Sequence, residues 1–207
     1  MLLQRTILPL FLAGFLGAGA LADSHEAADA AEAKTAIPEP LHFESDGSVR
    51  IDGKTIDYTA TAGTLVMKND DGDPIAHFGY TAYEKKGGDA SKRPILFAYN
   101  GGPGSASMWL HMGILGPQRT VVEDVSFNTT GPFERVNNEF SVLDKADLVM
   151  IDPVGTGFSR AVGEAKGEDF WGVDNDIESV ANFIARYLSE HGRWASPKYL
   201  LGESYGG

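Results

Sequence analysis

Three short apolar runs in this sequence stop abruptly at loops rich in glycine, and that pairing constrains the fold more than any other feature. Pro94-Ile95-Leu96-Phe97-Ala98-Tyr99 leads into Asn100-Gly101-Gly102-Pro103-Gly104-Ser105. Ala146-Asp147-Leu148-Val149-Met150-Ile151 leads into Asp152-Pro153-Val154-Gly155-Thr156-Gly157-Phe158-Ser159, and Lys198-Tyr199-Leu200-Leu201 leads into Gly202-Glu203-Ser204-Tyr205-Gly206. Continuous apolar runs of this length mark strands covered on both faces. Between the second and third runs, from about Asp174 to His191, the positions Ile177, Val180, Ala181, Ile184, Tyr187 and Leu188 keep helical spacing, and Gly192 supplies a stop. Strand, helix, strand in that order predicts a parallel sheet with a right-handed crossover, so the fold class is α/β. In open sheets of this kind ligands sit at the carboxyl ends of the strands, which places all three loops on one edge.

The rest of the chain divides by composition. Residues 1–22 read as a secretory signal: a basic start at Arg5, an apolar stretch from Thr6 to Leu21, and Ala20-Leu21-Ala22 before Asp23. Residues 23–40 carry five acids and one Lys with almost no large apolar side chain, the composition of a solvated, disordered linker. From Leu41 to Tyr83 short runs rich in Val, Ile, Tyr and Thr alternate with turn chemistry at Asp46-Gly47, Asp52-Gly53 and Asp70-Asp71-Gly72-Asp73-Pro74. Thr64–Met67 and Ile75–Tyr80 are expected to pair across the Asn69–Pro74 turn. His77, alone in an alternating strand, reads as structural.

Composition removes several function classes. The 207 residues hold no Cys, which excludes disulfides, thiolate zinc and a Cys nucleophile. With 17 Lys+Arg against 29 Asp+Glu the formal charge is −12, and loss of residues 1–22 takes only Arg5 with it. So acidic a surface does not suit nucleic acid. Export without cysteine suits a bacterial periplasm or exterior, and no second stretch approaches membrane-spanning length.

The chemistry sits in Gly202-Glu203-Ser204-Tyr205-Gly206. A G-x-S-x-G directly after a strand is steric in origin: a sharp strand-to-helix turn lifts the Ser clear of the sheet, and only Gly fits at the flanks. The N–H of Tyr205 is then placed to meet an oxyanion, with a second donor available from the glycine loop at residues 101–104.

These motifs together resemble the serine carboxypeptidases (peptidase family S10), an α/β-hydrolase family. The resemblance runs from about Tyr80 onward and rests on Asn100–Gly104, Leu115-Gly116-Pro117, Asp152–Ser159 and Gly202–Gly207. It implies an incomplete α/β-hydrolase domain over residues 41–207, with N-terminal strands and the first part of a mainly parallel sheet. Ser204 is implied as the nucleophile, Gly102 and Tyr205 as the oxyanion hole, and Asn100 and Glu203 as the pair that binds the free carboxylate of a peptide substrate. No cofactor and no metal are implied. There are departures: Ala98 stands where the family usually has Trp, Ser105 where Cys is common, and Asp152 directly precedes Pro153 where an acid is usually two residues before.

In this fold the triad follows the order Ser, acid, His. The sequence stops three residues after Ser204, and all five His precede it. The expectation is an N-terminal fragment, inactive and poorly folded by itself. His111, beside Trp109, is the one available substitute base, but the fold supplies the base from the far end of the sheet. A carboxypeptidase-like acyltransferase shares every motif. A proline iminopeptidase-type aminopeptidase would show His at position 100 and Gly at position 203. A non-enzymatic exported binding module is the third alternative.

Overall fold

The computed structural model describes residues 37–122 and 131–207. The signal segment and residues 23–36 of the linker lie outside the described residues, and residues 37–40 are exposed and without regular structure.

Three long antiparallel strands open the described chain: β1 (His42–Ile51), β2 (Lys54–Lys68) and β3 (Pro74–Lys85). The two-residue turn between β1 and β2 is Asp52-Gly53 with φ of +47° and +74°, both left-handed, the geometry whose twist matches that of the flanking strands. Thr64–Met67 pairs with Gly79–Ala76 across the second turn, as the sequence predicts. Asp46-Gly47, expected as a turn, lies instead inside β1 opposite Thr59 and Tyr58. A Cβ on Gly47 would stand 2.5 Å from the Tyr58 hydroxyl, so the glycine there makes room for a cross-strand ring and not for a bend.

The three apolar runs become β4 (Ile95–Tyr99), β7 (Asp147–Ile151) and β9 (Lys198–Gly202), with the short pair β5 (Gln118–Thr120) and β6 (Arg135–Asn137) between the first two and β8 (Arg160–Ala161) at the edge of β3. The main sheet runs β1-β2-β3-β7-β4-β9; β4 is parallel to both β7 and β9, and β3 meets β7 antiparallel. The architecture is α/β with a mixed sheet, consistent with an incomplete α/β-hydrolase fold.

Alternation along β7 explains why its run is wholly apolar. Val149 and Ile151 enter one core with Phe78, Tyr80, Phe97, Phe183 and Tyr187, while Leu148 and Met150 enter a second with Val49, Ile56, Leu110 and Leu143. The first core is covered by α2 (Val173–Glu190). The second lies under α1 (Met108–Leu110), which widens into a single π-type turn (His111–Leu115) closed by the Gly116 N–H on the His111 carbonyl at 2.9 Å.

The apolar face of α2 is the predicted one at Val180, Ile184, Tyr187 and Leu188, which pack on the first core, and departs from it at two positions. Its buried side chains are Ser179, Phe183, Tyr187 and Leu188, whereas Ile177 is 63% exposed and Ala181 is exposed. Phe183 sets this phase by packing between Phe78 and Tyr80, with ring centroids 5.3 and 5.9 Å away. Gly192, with φ +63°, follows the helix as expected.

Candidate active site

Parallel strands β7, β4 and β9 deliver their carboxyl ends side by side, so the loops that follow them meet. At the end of β9 the chain turns at once into a single 3-10 turn, Ser204–Gly206. Ser204 has φ +56°, a left-handed conformation that costs a non-glycine residue on the order of 1–3 kcal/mol. Its side chain stands in the exposed part of the turn. The turn is closed by the Gly206 N–H on the Glu203 carbonyl at 2.9 Å and the Gly207 N–H on the Ser204 carbonyl at 3.1 Å.

Glycine is required on both sides of this turn for space. A Cβ on Gly202 would fall 1.8 Å from the Gly206 oxygen, and one on Gly206 would press on Tyr99 at 3.1 Å. The glycine loop after β4 packs directly on the same turn: a Cβ on Gly101 would lie 2.5 Å from the Tyr205 nitrogen and 2.6 Å from the Glu203 oxygen. Gly102, with φ +114°, follows immediately. Gly102 and Tyr205 are thus brought to the same corner as Ser204.

Asn100 and Glu203 meet directly. The Asn100 Nδ2 donates to Glu203 Oε2 at 3.2 Å, and Asn100 Oδ1 accepts the Leu110 N–H at 3.1 Å. Asn100 is 5% exposed and Glu203 is exposed, so the pair reaches from the floor of the site to solvent. An Asn amide has two N–H donors, and one of them remains for a ligand. Trp109 and Met108 on α1 are both more than half exposed, and Phe158, 82% exposed, projects from the loop after β7.

Ala98, at the family's usual Trp position, is fully buried on β4 between Met150 and Leu201 and belongs to the core under α1. His111 is engaged elsewhere: its Nε2 lies 2.6 Å from the Tyr83 hydroxyl. Burial holds the His111 ring below the usual imidazole range, with the Asp152 charge opposing, and burial pushes the Tyr83 phenol up to about 12. The contact therefore joins a neutral imidazole to a protonated phenol, and which of the two donates is set by the ring tautomer.

Sequence reasoning missed the supports of the site. Ser107, at the start of α1, is 1% exposed and joins Asn100 to the end of β7. Asp176, in the first turn of α2, has its carboxyl raised above the usual range by burial, with the nearby Tyr205 hydroxyl acting in the opposite direction. Neither has a local sequence signal, because each partner is set by the sheet order.

The family model for serine carboxypeptidases matches residues 54–207. The chain belongs to the serine carboxypeptidase family. Among curated proteins it is 29% identical over 158 residues to the pheromone-processing carboxypeptidase KEX1 of Saccharomyces cerevisiae, covering 70% of this chain and 20% of that protein. It is 35% identical over 121 residues to the corresponding protein of Cryptococcus gattii, covering 58% of this chain and 17% of that one. Carboxypeptidase Y of Saccharomyces cerevisiae is 27% identical over 165 residues, covering 76% of this chain and 26% of the relative. The chain thus spans about a sixth to a quarter of the length of these relatives.

Proposed function

We propose that this chain carries the nucleophile half of an exported serine-type carboxypeptidase that releases C-terminal amino acids from peptides. The observation that carries the reading is the juxtaposition of an exposed Ser204 at φ +56° with a hydrogen-bonded Asn100–Glu203 pair 3.2 Å apart. Ser204 Oγ attacks the scissile carbonyl carbon, and the histidine of the triad, which in this fold follows the nucleophile in the chain, takes its proton. The N–H groups of Gly102 and Tyr205 stabilise the negative charge that develops on the carbonyl oxygen. Asn100 and Glu203 hold the free carboxylate of the C-terminal residue, so that only the last peptide bond is presented to Ser204. The amine leaves with the proton, and water then hydrolyses the acyl-enzyme.

Export follows from the first 22 residues; among the described residues no helix is long and apolar enough to cross a membrane. The decisive experiment combines two readings on the full-length protein. A fluorophosphonate should modify Ser204, and ladder sequencing of a digested peptide should show loss from the C-terminus. Labelling at Ser105 or Ser107, or loss from the N-terminus, would end the assignment.

A further inference from the structure

Asp152 opens the loop after β7, and its carboxylate bonds two backbone segments at once. Oδ1 accepts the Ser107 N–H at 2.9 Å, and Oδ2 accepts the Phe158 N–H at 3.3 Å. The loop is shaped around that carboxylate: Gly157 has φ +45°, and a Cβ there would fall 1.9 Å from Asp152 Oδ2. The Asp152 carbonyl accepts the Ser159 hydroxyl, whose oxygen accepts the Gly79 N–H at 2.7 Å and so anchors the loop to β3.

Ser107 passes this fixation on. Its hydroxyl donates to the Ile151 carbonyl and receives the Asn100 N–H at 3.4 Å. Asn100 is fixed from the other side by the Leu110 N–H and ends at Glu203. A continuous chain of bonds therefore runs Asp152, Ser107, Asn100, Glu203. Closing a loop does not by itself require an acid. Accepting two N–H groups in opposite directions does, because an Asn side chain would turn an NH2 against one of them.

We infer that Asp152 is a positioning residue for substrate-carboxylate recognition: through Ser107 it sets where the Asn100 amide stands. This rests on the proposed reading of Asn100 and Glu203, and it assigns a role to the position where the chain departs from the family pattern.

The test uses the full-length enzyme and a pair of peptides identical except for a free or an amidated C-terminus. The quantity read is the ratio of kcat/KM for the free acid to that for the amide. Damage to the oxyanion corner or to the fold slows both peptides alike and cancels in the ratio, whereas a displaced Asn100 lowers it. Asp152→Ala should lower the ratio about tenfold, Asp152→Asn about threefold, and Ser107→Ala, which leaves the backbone bond to Asp152 in place, by an intermediate factor. If Asp152→Ala does not fold, the other two variants, checked by thermal melting, decide. An unchanged ratio in folded Asp152→Asn and Ser107→Ala overturns the role of Asp152 alone. A wild-type enzyme without preference for the free acid overturns the reading of Asn100 and Glu203, and the positioning role with it.

Discussion

A methyl group on Gly101 would have to occupy space already taken by backbone atoms of Glu203, Tyr205 and Gly206, the nearest 2.5 Å away. Backbone cannot swing aside as a flexible side chain can, so Gly101→Ala must separate the glycine loop from the Ser204 turn. A shift of about 1 Å at a reacting centre costs roughly a hundredfold in rate. That loss is expected in kcat/KM for free-acid and amidated peptides alike. Gly113→Ala meets nothing within 4 Å and serves as the control with unchanged rates. Ser204 carries a different strain. Its left-handed φ suits glycine, so Ser204→Gly should raise stability by about 1–2 kcal/mol while Ser204→Ala should not. Both variants abolish turnover and keep substrate affinity, because Asn100 and Glu203 act independently of the hydroxyl. Melting temperatures and equilibrium dialysis on the three proteins check this; equal melting of the Gly and Ala variants would refute the strain.

At the scale of elements, the sheet is pinned at the end opposite the site. Asp147, at the first position of β7, is 1% exposed; its Oδ1 accepts the Lys85 N–H at 2.9 Å and Arg93 Nε at 2.6 Å, and its Oδ2 accepts an Arg193 NH2 at 2.9 Å. Arg193, also 1% exposed, reaches Glu84 on β3 at 3.6 Å. One carboxylate thus joins β3, the approach to β4 and the segment between α2 and β9. Removing its charge strands a buried guanidinium, so Asp147→Asn should destabilise by about 3–5 kcal/mol. Urea unfolding measures that loss, and the selectivity ratio of the folded fraction should not change. None of this cluster was legible in the sequence, because its members lie 54 and 46 residues apart and no local pattern pairs them. The strands β4, β7 and β9 were legible because apolar continuity is a local property. The phase of α2 was largely legible: Val180, Ile184, Tyr187 and Leu188 were placed correctly, but Ile177 and Ala181 belong to the exposed side and Phe183 was overlooked. Asp46-Gly47 misled for a similar reason, since the dipeptide favours a turn while its pairing with Tyr58 is fixed by β2.

For the molecule as a whole, the glycine-rich loops announced the site, while the side chains that hold those loops in place came only from the three-dimensional arrangement. The same division governs the response to acid. Burial is the chief cause holding His77, His111 and His191 below the usual imidazole range. They sit in three separate places: His77 on β3 at 4% exposure, His111 at the start of the π-type turn against Tyr83, and His191 stacked on Tyr187 with ring centroids 4.0 Å apart. In the unfolded chain each returns to about 6.5. The folded-state values lie below the unfolded ones, so as pH falls through about 6.5 the unfolded chain takes up protons first. Stability is fully present above that value, declines as pH falls toward the folded-state values, and is level below them. His111 adds a specific contact to this trend, because a protonated ring can only donate to the Tyr83 oxygen. The full-length enzyme should therefore melt at progressively lower temperature between about pH 7 and pH 5. Other groups of the enzyme titrate in the same range, so the measurement that isolates this contribution is a difference. His111→Gln keeps an acceptor for Tyr83 and removes the titrating group, and its melting temperature should fall less steeply over that interval than the wild type's. Parallel curves for the two proteins would mean that His111 is not held neutral in the folded state. In that case the Tyr83 contact would have to be assigned to an imidazolium donating to the phenol oxygen.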